Sequence, residues 1–406
     1  MTVLIIGGGG REHALAAAIA KDGAQIIVAP GNGGIAREFK CLPFTDLNEV
    51  LDWCLTNQPN FVVFGPEQPL ADGWVDVLEK AGVPCVGPTA QAARIESSKA
   101  FAKELMAKNK IPTASYECFD NPQEAQRHIL SQANYPIVIK ADGLAAGKGV
   151  AVVENEADAL SFLESISGKV VLEEFLVGWE TSLFAITDGE NFQTTLFARD
   201  HKRLNDGDQG PNTGGMGAFC PVPEAEKWRE EIENNVISPT LKALRDLGSP
   251  FRGFLYCGLM ITEEGPKVLE YNCRLGDPET QALLPLLNTS FIEICEAVTT
   301  GTVGGLKLDW SDQSSVCVIM SSQGYPGSFN TGHHLDFSRE IQSLIRFGGV
   351  KEEAGRLVSS GGRVLSLVAL GDNLAEAREK VYGDLETIDF SGKHFRKDIA
   401  LPRNQI

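Results

Sequence analysis

Eleven residues, Lys140-Ala141-Asp142-Gly143-Leu144-Ala145-Ala146-Gly147-Lys148-Gly149-Val150, carry three glycines and two lysines beside apolar runs. Gly143, Gly147 and Gly149 let backbone amides come close to phosphate oxygens, and Lys140 and Lys148 supply positive charge. The spacing is one residue short of G-x-x-x-x-G-K-[ST], and Gly149 stands where a Mg2+-binding hydroxyl would be. The segment also joins strand to strand. It reads as a glycine-rich flap free to fold over a triphosphate; its bland counterpart is a flexible hairpin with solvated lysines. One strand later, Val171-Leu172-Glu173-Glu174-Phe175-Leu176 runs on to Glu180. Such a connection offers backbone groups to an adenine edge and a carboxylate to ribose hydroxyls. In Leu269-Glu270-Tyr271-Asn272, strand geometry puts Glu270 and Asn272 on one face, about 6.5–7 Å apart. Two such oxygen ligands suit Mg2+, which takes one or two carboxylates and completes its shell with phosphate and water. Alone, the same pattern also fits a solvated sheet face.

A second glycine cluster, Gly7-Gly8-Gly9-Gly10-Arg11-Glu12-His13, follows an apolar run and opens a helix. A dinucleotide fingerprint needs a small third residue and an acid about 20 positions on. Counted from Gly7, the third position is Glu12, and the following strand ends at Val28-Ala29-Pro30 without a carboxylate. Dinucleotide binding is excluded. What survives is a helix N-terminus with amides suited to a phosphate, or a structural tight turn.

The elements that must hold these loops divide the chain into three. At roughly 150 residues per domain, 406 residues suggest two or three domains. Residues 1–100 alternate apolar strands (Val3–Ile6, Gln25–Ala29, Phe61–Phe64) with helices, an open parallel α/β pattern. Residues 101–315 begin with a basic helix, Lys99 to Lys110. They continue as α+β, with a small lid subdomain at about 113–182 and the strands Phe254–Ile261 and Lys267–Asn272. Residues 316–406 read as a small C-terminal α/β domain. The fold class is thus α/β and α+β, multidomain.

Composition narrows the function. Apolar residues make up 43% and charged residues 22%, as in a globular chain. A net charge of −18 opposes a general nucleic-acid role. No uncharged apolar run approaches the roughly 18 residues of a membrane span, and the start lacks the basic region of a secretory leader. Nine cysteines, an odd number without C-x-x-C, fit buried thiols in a reducing compartment rather than disulfides or zinc. The cytoplasm is the expected location.

In this order the lysine, flap, E-E-x-L connection and E-x-N strand resemble the ATP-grasp ligases, and more closely the phosphoribosylamine–glycine ligase family. The resemblance is carried by Gly9 to His13, Gly65-Pro66-Glu67, Ser98-Lys99, Lys140 to Gly149 and Asp200-His201-Lys202-Arg203. Gly210-Pro211-Asn212-Thr213-Gly214-Gly215-Met216-Gly217 and Asn272 to Glu279 are its most specific parts. It runs from residue 3 to Arg396-Lys397-Asp398-Ile399. Departures are Gly8 where the family has Asn, Trp179 before Glu180, a shortened lid, and no acid in Leu255–Ile261.

The resemblance implies an N-terminal pre-ATP-grasp domain and a central ATP-grasp domain. It implies ATP-dependent ligation of glycine to 5-phosphoribosylamine through a glycyl phosphate, giving glycinamide ribonucleotide, ADP and phosphate in purine biosynthesis. Lys99, Lys140, Gly143, Gly147, Lys148 and Gly149 would hold the ATP phosphates. Glu173, Glu174, Phe175, Leu176 and Glu180 would meet its adenosine part. Glu270 and Asn272 would bind Mg2+ or Mn2+, and Arg274 and Lys140 would be catalytic. Gly9, Gly10, Arg11, Glu12, Glu67, Asn212, Thr213, Gly214, Asp277 and Glu279 would receive the substrates. A monomer without nucleic-acid or membrane partners is expected. Two alternatives remain at this point: another ATP-grasp carboxylate–amine ligase using formate or bicarbonate, and a nucleotide-binding protein without turnover.

Overall fold

The computed structural model describes residues 1–132, 134–144 and 149–402. Gly147 and Lys148 of the flap lie outside the described residues. The first part is a five-stranded sheet in which Thr2–Gly7 is central, flanked by Gln25–Pro30 and Phe61–Phe64, with Lys40–Cys41 and Cys85–Val86 at the edges. Every pairing is parallel. Val3 to Ile6 and Phe61 to Phe64 are buried on both faces, which is why they read as unbroken apolar runs. The expected second strand extends to Pro30, and the first helix begins at Gly10.

The lid is a four-stranded antiparallel sheet ordered Tyr116–Phe119, Val170–Glu174, Ile137–Ala141, Val150–Val153. Lys140 lies opposite Val150, so the glycine segment does join adjacent antiparallel strands. Ala125, Ile129, Ile139, Val153, Leu163 and Leu172 belong to an apolar cluster separate from the two larger cores. Beyond the lid, Phe192–Thr194, Trp179–Thr187, Gly253–Thr262 and Gly265–Asn272 form the antiparallel sheet that carries Glu270 and Asn272.

The third sheet crosses the expected boundary at 315/316. Strand Ser314–Ser322 pairs with Gly217–Cys220 on one side and Arg363–Gly371 on the other. The C-terminal part therefore shares a strand ladder with the central one. It also touches the first domain. Asn32 Nδ2 donates to the carbonyls of Gly8 and Phe347, both at 2.9 Å. Phe347 N–H donates to His13 Nδ1 at 2.9 Å, and the two rings stack with centroids 5.7 Å apart. Among the described residues no helix is long and apolar enough to cross a membrane.

His13 is fully buried, and its Nε2 faces Glu38 Oε1 at 3.1 Å. An Nδ1 that accepts leaves the proton on Nε2, so the ring is neutral. Burial holds its pKa below 6.5, with Glu38 opposing. A second proton would land on Nδ1 and break the Phe347 contact. The unfolded chain takes up that proton near pH 6.5 and the folded chain resists it, so stability falls as pH drops below about 6.5. Glu38, held low by its hydrogen bond to His13, adds loss in the same direction. We expect the Tm advantage of the wild type over His13→Gln to shrink between about pH 7.5 and about pH 5.5. A gap that stays constant across melting curves in that range would contradict this.

Candidate active site

The flap hairpin, the helix Lys99–Lys108, the strand Gly265–Asn272 and residues 274–279 converge on a cleft of about 590 Å3. On one side, Ser98 caps the helix by accepting from Phe101 N–H at 3.1 Å. Asp142, at the base of the flap, accepts from Ser98 Oγ and Ala100 N–H at 3.2 Å each, a carboxylate at a helix N-terminus. Lys99 Nζ donates to the Gly143 carbonyl at 2.8 Å. The flap is thus fastened to the helix that delivers Lys99. Lys103, four residues on, shares its helix face.

Glu173 is buried between two lysines: Lys103 Nζ at 2.9 Å and Lys140 Nζ at 2.8 Å. Lys140 also donates to the Leu269 carbonyl at 3.0 Å. Gly258 lies opposite Glu270 and Leu259 opposite Val268, so Leu269 is the extra residue of a bulge. Burial pushes Lys103 down to about 8 despite Glu173. Burial and the nearby Lys140 charge likewise lower Lys99, with Glu270 opposing. This is a wall of poorly solvated cations facing space, a setting that an anionic polyphosphate would stabilise. Glu173 was expected on the nucleotide; here its carboxylate is taken up by these ion pairs. Glu174 accepts from Ser115 N–H at 2.9 Å. Leu176 is buried, whereas Phe175 and Val177 leave apolar surface exposed at the connection.

The opposite wall carries Glu270, Asn272 and Arg274. Glu270 passes Gly258 at close range: a Cβ there would lie 3.3 Å from Glu270 Cγ. Asn272 is assigned with Nδ2 on Glu96 Oε1 at 2.7 Å and on the Tyr271 carbonyl at 3.3 Å, since the reverse orientation would oppose acceptor to acceptor. Its Oδ1 is then on the side away from Glu96. Arg274 Nε meets Glu67 Oε2 at 3.2 Å and Nη2 meets Glu96 Oε1 at 2.9 Å. Burial disfavours its charge, but Glu96 and Glu67 outweigh burial and raise its pKa. Both carboxylate partners come from the first part of the chain.

Asp277 pairs with Arg363 at 3.0 Å and accepts from Gln281 Nε2 at 2.7 Å. Burial would raise it, yet Arg363 and Arg11 hold it below the usual range. Glu279 accepts from Ser182 Oγ at 3.2 Å, and Ser182 Oγ and Tyr256 Oη lie 3.0 Å apart, the phenol free to donate to the serine oxygen. Glu180 pairs with Lys202 at 2.5 Å. Asp200, 3.9 Å from Lys202, is pushed up to about 7 by burial despite that lysine. Thr213 Oγ1 donates to the Lys202 carbonyl, and Gly214 N–H donates to Tyr325 Oη. Asn212 lies opposite Arg203 in a two-stranded ribbon.

Arg11 reaches the cleft, with Nε on Glu12 Oε1 at 2.6 Å and Nη1 on the Leu275 carbonyl at 3.2 Å. Glu12 departs from the expected substrate role. Its side chain folds back under the loop, is 3% exposed, and accepts from Gly9 N–H at 2.5 Å. It fills the space that the missing side chains of Gly7 and Gly65 leave. Gly9 and Gly10 border a second cavity of about 270 Å3, lined also by Arg346, Gly348 and Gly349. Asp277 and Arg363 stand on the walls of both cavities. Sequence reasoning missed Glu96, Lys103, Arg346 and Arg363. Only Lys103 left a signal, its i+4 spacing from Lys99; the others come from distant segments.

Models of the phosphoribosylglycinamide synthetase N domain, ATP-grasp (A) domain and C domain match residues 1–96, 97–280 and 315–402. The chain is 45% identical over 415 residues to the phosphoribosylamine–glycine ligase of Caldanaerobacter subterraneus subsp. tengcongensis, covering 98% of this chain and 99% of that one. The crystal structure of phosphoribosylamine–glycine ligase from Thermotoga maritima superposes with a TM-score of 0.85 at 37% identity, covering 98% and 100% of the two chains. The biotin carboxylase domain of Hydrogenobacter thermophilus 2-oxoglutarate carboxylase, solved with MgADP, superposes at 0.72 with 16% identity over 97% and 91%, a likeness of fold.

The lysine wall yields a prediction. Glu173→Gln leaves two buried ammonium groups facing each other. Breaking such a pair costs about 3–5 kcal/mol, so the variant should melt well below wild type, and ATP should restore more of the difference than it adds to wild type. A Tm within error of wild type would show that Glu173 does not hold the lysines.

Proposed function

The chain belongs to the phosphoribosylglycinamide synthetase family, and on that premise we propose how its cleft divides the labour of the reaction. The activity is ATP-dependent ligation of glycine to 5-phosphoribosylamine, giving glycinamide ribonucleotide, ADP and phosphate. The observation that carries the assignment of roles is the meeting of Lys99, Lys140, Glu270, Asn272 and Arg274 in one cleft. Phosphoryl transfer asks the protein for charge neutralisation and alignment more than for covalent work.

Lys99, Lys103 and Lys140 hold the polyphosphate, with Gly143 and Gly149 beside it. The connection after Glu174, with Phe175 and Leu176, receives the adenine edge, and Glu180 reaches the ribose. Glu270 and Asn272 offer a carboxylate and an amide oxygen, a donor set for a hard ion. Among the described residues no group of three or more His, Cys, Asp or Glu gathers to hold a metal ion, so phosphate and water would complete the shell of an ion on Glu270 and Asn272. When bound there, Mg2+ supplies Lewis-acid charge to the phosphate oxygens; Mn2+ is the expected substitute, because it too accepts six oxygen ligands.

The glycine carboxylate attacks the γ-phosphorus and ADP leaves, giving glycyl phosphate. Arg274 is placed to neutralise charge on the transferring group. The amine of phosphoribosylamine then attacks the acyl carbon, phosphate leaves, and the nitrogen loses a proton. Asp200 and Glu279 anchor the ammonium of glycine beside Thr213 and Gly214. The phosphoribosyl end reaches across Arg11, Glu67 and Asp277 toward the second cavity. There the Gly9–Gly10 loop, Arg346 and Gly348-Gly349 suit its phosphate better than Arg11, which Glu12 already engages. Lid closure excludes the water that would hydrolyse the acyl phosphate.

Removing the carboxylate in Glu270→Gln should raise the Mg2+ concentration for half-activation more than Asn272→Ala does, and extra Mg2+ should partly rescue only the second. Rates at limiting Mg2+ that match wild type in both would return this strand to a plain sheet face. For Arg274 two effects combine. Arg274→Ala should lower kcat by about 10²–10³ with little change in ATP KM, and it also strands the buried Glu96. Arg274→Lys keeps the charge, so it should regain much of the Tm but little of kcat, because an ammonium lacks the planar fork. If kcat and Tm recover together in Arg274→Lys, the residue is structural.

A further inference from the structure

Glu96 belongs to the helix Ala90–Ser97 and lies 176 positions before Asn272, yet its carboxylate touches three consecutive residues of the catalytic wall. Oε2 accepts from Cys273 N–H at 2.7 Å and lies 2.9 Å from its Sγ. Oε1 takes Asn272 Nδ2 at 2.7 Å and Arg274 Nη2 at 2.9 Å. The carboxylate is almost completely enclosed, its side chain 7% exposed. A carboxylate in that position can only accept. It therefore forces the amide of Asn272 to present nitrogen inward, and Oδ1 is left on the other side. A neutral amide at position 96 could present either of its ends, and Asn272 could then turn either way.

We propose that Glu96 is the positioning residue of this site: it fixes the orientation of the Asn272 oxygen for the divalent ion and, through the same carboxylate oxygen, the guanidinium of Arg274. The proposal rests on the reading of Glu270 and Asn272 as metal ligands. Its distinctive content is that a residue that does not ligate sets both the metal requirement and the rate. A role confined to holding the two parts of the chain together would lower stability and leave the Mg2+ dependence of whatever remains folded unchanged.

The test uses the full chain with Glu96→Gln, which keeps the shape, and Glu96→Asp, which keeps the charge but shortens the reach. Outer partners of metal ligands typically change affinity or activity about 10–100-fold. Both variants should lower kcat by about that factor. They should also raise the Mg2+ concentration for half-activation about tenfold or more, with ATP KM at saturating Mg2+ little changed. A readout independent of turnover is the rise in Tm that Mg2+ adds over ADP alone, which should shrink in both. Normal half-activation and a normal Mg2+ increment in a folded variant overturn the proposal, as does failure of both variants to fold, which would make Glu96 a support of the fold. Glu270→Gln keeps the two readings apart. If it shifts the Mg2+ dependence and the Glu96 variants do not, only this inference falls. If none of them does, the metal reading falls with it.

Discussion

A guanidinium cannot be enclosed at the bottom of a cleft unless carboxylates enclose it too. An unpaired buried charge costs several kcal/mol, more than most folds can bear. Arg274 lies between Glu67 and Glu96, and both carboxylates come from the first 96 residues of the chain. The wall that carries Arg274 is therefore complete only where the first part of the chain packs on the central domain. The same rule shapes the opposite wall, where Glu173 separates Lys103 from Lys140. On the lysine wall Lys99, Lys103 and Lys140 outnumber Glu173, and the charge left unmatched faces the space between the walls. That is where a ligand rich in negative charge belongs.

The sequence disclosed what is local. The flap, the E-x-N strand and the run from Asn272 to Glu279 are contiguous, so spacing alone put their side chains in order, and the strand pairing of Lys140 with Val150 follows. The continuous apolar runs of the first domain likewise announced a sheet covered on both faces. What stayed hidden depends on contacts between distant segments. Nothing around position 96 distinguishes its glutamate from a helix-surface acid, although it meets Cys273 at 2.7 Å. Arg363 gave no sign that it would reach Asp277. Glu12 misled for the converse reason. Its place in a phosphate-like loop suggested an outward carboxylate, but the glycines at 7 and 65 leave a hollow into which it folds. The change of texture at 315/316 gave no sign that strand Ser314–Ser322 would ladder against Gly217–Cys220, because hydrogen bonding between strands takes no account of texture.

Two kinds of junction hold the parts together. Between the first domain and the C-terminal part the junction is made of directional contacts, among them Asn32 reaching the Phe347 carbonyl, His13 accepting from Phe347 N–H, Gly33 N–H donating to the Val350 carbonyl, and Arg37 pairing with Glu352. The lid has its own small apolar cluster and reaches the cleft through Asp142, Lys140 and Glu173. It has the attributes of a body that can swing as a unit, because its interior need not be disturbed. The Glu173 contacts to Lys103 and Lys140 lie where the lid meets the cleft.

The shared sheet also bears on how such chains can recombine in descent. Ser315 to Val318 ladder against Cys220 to Gly217, and at Gly217 a Cβ would lie 2.7 Å from the Cys317 carbonyl. A crossover near residue 315 transplants one strand of an interior ladder and leaves its partner behind. The incoming strand must fit a backbone approach that tolerates only glycine opposite it. The segments 97–280 and 315–402 are separable as text, but as matter they are one piece, joined edge to edge through this ladder.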